Sequence, residues 1–140
     1  MSPDPIFEIA SIAAMAGWLA LALSPFAPRL LIALGGVAIP VALSLIYLTT
    51  VAIALPSAPG GFGSLTDVMT LFTVPGAALA GWVHFLAFDL AIGGWMVRRA
   101  RAQAIPHWMI LPCLFFTFML GPIGLLMFLA LQTLRTRKAA

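Results

Sequence analysis

PGAALAGWVHFLAFDLAIGGWMV, residues 75–97, is an apolar run interrupted near its middle by His84 and Asp89. About 20 apolar residues suffice to cross a bilayer, so the run reads as a transmembrane helix. At 1.5 Å per residue, both ionisable groups lie about 12–14 Å from the nearer end. An ionised Asp at that depth costs about 3 kcal/mol on insertion scales. A partner, a polar cavity or protonation would relieve it. His84 and Asp89 are five residues apart, about 140° around a helix, so they do not form an i, i+4 pair. Trp82 and Phe85 share the face of Asp89. Gly81, Phe88 and Trp95 share the face of His84.

The rest of the chain supports a membrane setting. Of 140 residues, 63% are hydrophobic and 8% charged. A soluble domain carries roughly a quarter charged residues, so this one has too little polar surface for water. The net charge is +3, but the bases sit at the ends of apolar runs, as headgroup anchors do. No nucleic-acid partner is expected. The single Cys113 excludes an internal disulfide and reads as a packing residue. Met1-Ser2-Pro3-Asp4-Pro5 carries acid and no base, unlike a secretory signal or transit peptide. The chain therefore reads as complete and unprocessed, which suits a bacterial inner membrane protein.

The expected fold is all-α: one transmembrane domain over residues 1–140, with about four spans at 6–24, 30–55, 75–97 and 106–134. Pro40 should kink the second, and Pro112 and Pro122 should bend the last. Between the second and third spans, Pro56 to Ser64 is turn chemistry. Residues 65–72 follow as a short interfacial or re-entrant helix that Ser64 caps, with Asp67 in its first turn. Gly93-Gly94 and Gly121-Pro122-Ile123-Gly124 read as sites of close helix approach. With four spans, Arg29, Arg98, Arg99 and Arg101 face one side, and Arg135, Arg137 and Lys138 the other. Four bases against three leave orientation open.

Each polar residue has a plain packing alternative. Asp89 could bond Thr117 on an antiparallel fourth span. His107, after Ile105-Pro106, should lie near the interface, capping a helix or meeting headgroups. Asp67 is a helix-start residue, of catalytic interest only if its helix folds back toward His84. Asp67, His84, Asp89 and His107 are chemically suited to iron or zinc. They show no ligand spacing and differ in depth, so no metal is expected. A cofactor is left open, and so is a homo-oligomer. No phosphate-binding Gly loop, G-x-S-x-G or Ser-His-Asp set is present.

Ala80-Gly81-Trp82-Val83-His84-Phe85-Leu86-Ala87-Phe88-Asp89-Leu90, with Ile105-Pro106-His107, Leu111-Pro112-Cys113-Leu114 and Gly121-Pro122-Ile123-Gly124, resembles the abscisic-acid-deficient-four-like family. The resemblance covers about residues 60–134. In plants, members are plastid membrane proteins required to form neoxanthin from violaxanthin. The resemblance implies an isomerisation in which an epoxide opens and a proton leaves, requiring an acid and a base. By position it offers His84, Asp89 and His107 as catalytic candidates, joined by Asp67 if its helix folds back. Trp82, Phe88 and Trp95 would line the substrate groove. The implied ligand is a carotenoid or related isoprenoid entering from lipid. The rival readings are a non-catalytic carotenoid-binding or accessory protein and a proton pathway. The second lacks a file of polar residues along the other helices.

Overall fold

The computed structural model describes residues 4–139, with side chains through Arg135. Met1–Pro3 and the side chains of Arg137 and Lys138, which entered the sequence reading, lie outside the described residues. The fold is all-helical, 85% helix with no strand among the described residues. In chain order the helices are α1 (Asp4–Ala22), α2 (Pro28–Ser57), α3 (Leu65–Leu71), α4 (Pro75–Ala102), α5 (His107–Leu120) and α6 (Pro122–Ala139). Three of them, α1, α2 and α4, are long and apolar enough to cross a membrane. Large apolar side chains such as Leu30, Leu48, Ile53 and Phe85 stand exposed around the outside. Water would penalise such a surface, whereas acyl chains would not.

The long helices approach one another through glycine. α1 buries Ala10, Ala14, Gly17, Trp18 and Leu21 on one stripe. A Cβ on Gly17 would stand 2.5 Å from Leu90 of α4, and one on Gly35 of α2 would stand 2.5 Å from the Gly17 carbonyl. Gly36 and Gly94 meet backbone to backbone where α2 crosses α4. The edge of the Trp18 indole abuts Gly93. Small residues permit this approach, and close packing is what holds helices together in lipid. Gly94→Ala is therefore expected to push α2 off α4 and destabilise the fold by about 2 kcal/mol. Thermal unfolding of the detergent-solubilised protein would read this as a lowered midpoint.

Pro40 does more than kink α2. It has no N–H to give the carbonyl four residues back, which is that of Gly36. The helix widens there into a π turn at Leu34–Ala38, in which the Ile39 N–H bonds the Leu34 carbonyl. Arg98 Nη1 of α4 reaches the Gly36 carbonyl at 3.4 Å. α3 forms as read: the Ser64 hydroxyl accepts from the Asp67 N–H at 3.1 Å. Gly60, at φ +86°, turns the loop back so that the Gly61 N–H bonds the Asp67 carbonyl at 3.3 Å.

The segment expected as a single fourth span is two helices. Pro122 cannot continue α5, and Gly121 takes φ +46°, a conformation open to glycine. The chain reverses at this point. α6 returns along α5, with Gly124 against Thr117 and the Cys113 carbonyl. Farther back, Phe128 packs edge-on to Trp95 at 5.5 Å. With its amide turned to satisfy its neighbours, Gln132 accepts from Arg99 Nε at 2.8 Å. Both arms thus pack on the C-terminal half of α4. Pro112 sits inside α5 without breaking it. The reversal also overturns the charge distribution expected of four spans. Arg135 lies at the same end of the molecule as Arg29, Arg98, Arg99 and Arg101, while Asp4, Glu8 and Asp67 mark the other end.

Candidate functional site

Asp89 sits half-way along α4, beside the hairpin tip. A Cβ on Gly121 would stand 2.9 Å from Asp89 Oδ1 and 3.2 Å from Oδ2. Only a glycine lets the carboxyl lie this close to the turning backbone. The first N–H groups of α6 lack intrahelical acceptors and bear partial positive charge, which suits a neighbouring carboxylate. Among the described residues Asp89 makes no hydrogen bond. Thr117, weighed above as its partner, instead donates to the Cys113 carbonyl at 2.8 Å and contacts Met96 Sδ at 3.7 Å. That places Thr117 seven residues farther along α4, because α5 stops at the tip.

The half-buried Asp89 carboxyl lines a cavity of about 290 Å³ with Trp18, Trp82, Phe85, Phe118 and Gly121 among its other walls. This is near the lower size of small-molecule sites. Trp18 and Phe118 meet edge-on at 5.8 Å. Trp82 Nε1 donates to Ser11 Oγ at 3.3 Å, fixing the indole between α1 and the cavity. Trp82 and Phe85 are 44% and 60% exposed, so the cavity opens sideways at the molecular surface. Beyond Trp82 a second hollow, lined by Phe7, Leu79 and Pro75, continues toward Asp4.

His84 opens on a different cavity of about 220 Å³, walled by Tyr47 and Val51 of α2, Phe62 and Leu71, and Phe72 and Gly81. Its ring stacks on Phe88 at 4.7 Å and tilts against Tyr47 at 5.4 Å. Phe85 borders both cavities. The C-terminal end of α3 reaches this second cavity through Leu71 and Phe72, but Asp67 is not among its walls. His107 lies at the far end of α5, where Nε2 and the Ala22 carbonyl are 2.9 Å apart. It ties the end of α1 to the start of the hairpin, about 21 Å along α5 from the tip. Trp95 packs against Phe128 and borders neither cavity. No three His, Cys, Asp or Glu side chains come together among the described residues.

Of the residues singled out from sequence, Asp89 and Trp82 share one cavity. His84 borders the other, its ring stacked on Phe88. Trp18 and Phe118 were not foreseen. Trp18 comes from the wholly apolar part of α1, residues 12–22, with no polar marker beside it, and its place depends on how Gly17 seats against Leu90.

A family model matches residues 5–128, from the first turn of α1 to Phe128 in the hairpin, under the description ABA DEFICIENT 4-like. The chain belongs to that family. The match takes in α1 and α2 as well as the stretch whose motifs carried the resemblance. No curated protein and no solved structure gives a significant match. The apolar helices and the ABA DEFICIENT 4-like family together point to a membrane protein.

Proposed function

We propose that this ABA DEFICIENT 4-like protein is embedded in a bilayer and isomerises a carotenoid or related isoprenoid by acid/base chemistry at Asp89. The observation that carries the reading is an unbonded carboxyl facing an aromatic cavity that opens at the molecular surface among exposed apolar side chains. A ligand dissolved in acyl chains reaches such a cavity without crossing water. Family membership supplies the link to the carotenoid and abscisic acid pathway.

An isomerisation leaves the proton count unchanged, so one carboxyl can serve as both acid and base. Protonated Asp89 gives its proton to an epoxide oxygen. The C–O bond breaks, its electron pair stays on oxygen, and a hydroxyl forms. Positive charge develops on the carbon, where the faces of Trp18, Trp82 and Phe118 attract it. The carboxylate then takes a proton from a neighbouring polyene carbon, and the freed C–H pair becomes the new double bond. Product and substrate have one formula, and Asp89 ends as it began. His84, in the cavity behind Phe85, is assigned to ligand positioning, with Phe88 stacked on its ring.

Expression in an epoxy-carotenoid-producing host, followed by chromatography and mass analysis of the pigment, tests this. The expected result is a new isomer of unchanged mass. A pigment that co-purifies chemically unaltered would make the protein a carrier, and no pigment effect would end the carotenoid reading.

A further inference from the structure

We propose that the cleft between the start of α2 and the end of α4 binds the phosphate of an anionic phospholipid. Arg29 stands in the first turn of α2, and Arg98 and Arg101 in the last turns of α4. With Pro28, Ile32, Ala33 and Val37 they line a cleft of about 330 Å³. No acidic residue is among its walls. The described acids lie elsewhere: Asp4, Glu8 and Asp67 at the opposite end and Asp89 half-way down α4. Three guanidinium groups around an open cleft would repel one another unless an anion sits between them. Guanidinium meets phosphate oxygens through paired, charge-assisted hydrogen bonds.

Two further features set this cleft apart from a scatter of surface bases. Arg98 is held in place by the Gly36 carbonyl that Pro40 leaves without a donor. Arg99, next to it, turns away to Gln132 in the hairpin. The cleft also runs from the arginines down an apolar wall, since Val37 lies about 12 Å along α2 from Arg29. A free phosphate would have no use for Ile32 and Val37. A phospholipid places its headgroup on the arginines and the start of an acyl chain on that wall, as basic pockets at a membrane interface do.

The test uses the purified full-length protein in detergent, titrated with phosphatidylglycerol or phosphatidylcholine of identical chains and read by native mass spectrometry. Phosphatidylglycerol is expected to bind at least about tenfold more tightly. Arg29→Gln with Arg101→Gln should remove the preference, and Arg135→Gln, at the same end but outside the cleft, should keep it. Arg98 is left intact because it bonds the backbone of α2. If the double variant fails to fold, Arg29→Gln alone should weaken phosphatidylglycerol binding about threefold or more. Millimolar inorganic phosphate should not displace the lipid. Equal binding of both lipids overturns the proposal. So does a preference that survives in a folded Arg29→Gln/Arg101→Gln variant, or one that Arg135→Gln abolishes equally. Displacement by inorganic phosphate would make the cleft a simple anion site and overturn it as well.

Discussion

A cysteine placed at Gly61 and one placed at Arg135 are expected to react with a membrane-impermeant maleimide from opposite sides of the bilayer. The expectation follows from the reversal at Gly121. With α1, α2 and α4 crossing the bilayer, as proposed, and the α5–α6 hairpin entering and returning, the chain would make an odd number of crossings. Four full spans would put the loop at Gly61 and the C-terminal end on one side. On the hairpin arrangement the charge count, balanced for four spans, becomes one-sided among the described residues. Arg29, Arg98, Arg99, Arg101 and Arg135 gather at one end, and Asp4, Glu8 and Asp67 at the other. Basic ends stay on the cytoplasmic side, so Arg135→Cys should label only after permeabilisation and Gly61→Cys in intact cells. Gly61 has open space around its Cα, so the probe should not disturb the loop. The native Cys113 is buried and should stay silent in both experiments. Labelling of both positions from one side would dismiss the hairpin as a membrane-spanning arrangement.

Asp89→Asn is expected to abolish pigment conversion, with a loss of at least about 100-fold. Asn keeps the shape and the seat against Gly121 but can neither give up nor take the proton the reaction moves. The folded helical protein should persist in the membrane, since the carboxyl makes no bond whose loss would matter. Two controls separate chemistry from structure. His84→Ala should lower conversion by less than about 10-fold, because the imidazole lies in the neighbouring cavity and takes no proton in the scheme. His107→Ala should cost about 1 kcal/mol of stability through its lost bond to the Ala22 carbonyl, and leave turnover per folded molecule unchanged. Normal conversion by Asp89→Asn would remove the carboxyl from the chemistry altogether.

Much of this was open to reading in the residues. The run at 75–97 announces a helix that other helices must surround, and α4 is that helix. Ser64 and Asp67 mark the start of α3. Helical spacing puts Trp82 and Phe85 on the face of Asp89, where the cavity lies. The hairpin escaped because hydropathy alone does not distinguish one long apolar helix from two short ones folded together. The distinguishing signal was Gly121-Pro122. The residue before a proline is steered from helical geometry, and glycine reaches positive φ at no steric penalty. Read as a turn, the pair halves the last span. Read as a bend, it leaves Thr117 opposite Asp89. The placement of Trp18 and the separation of the two cavities by Phe85 depend on glycine seats between helices distant in sequence. No local pattern encodes them.

The π turn of α2 has a consequence for how that helix tolerates change in length. One residue inserted into a regular helix rotates everything after it by about 100°. A π turn takes up the extra residue within itself, and the helix beyond keeps its azimuth. Near the start of the turn Gly35 faces Gly17; beyond it Tyr47 faces His84. Losing Ala38 alone would let the turn relax to ordinary winding with both contacts kept, whereas the same deletion nearer Tyr47 would swing the phenol ring away from the imidazole.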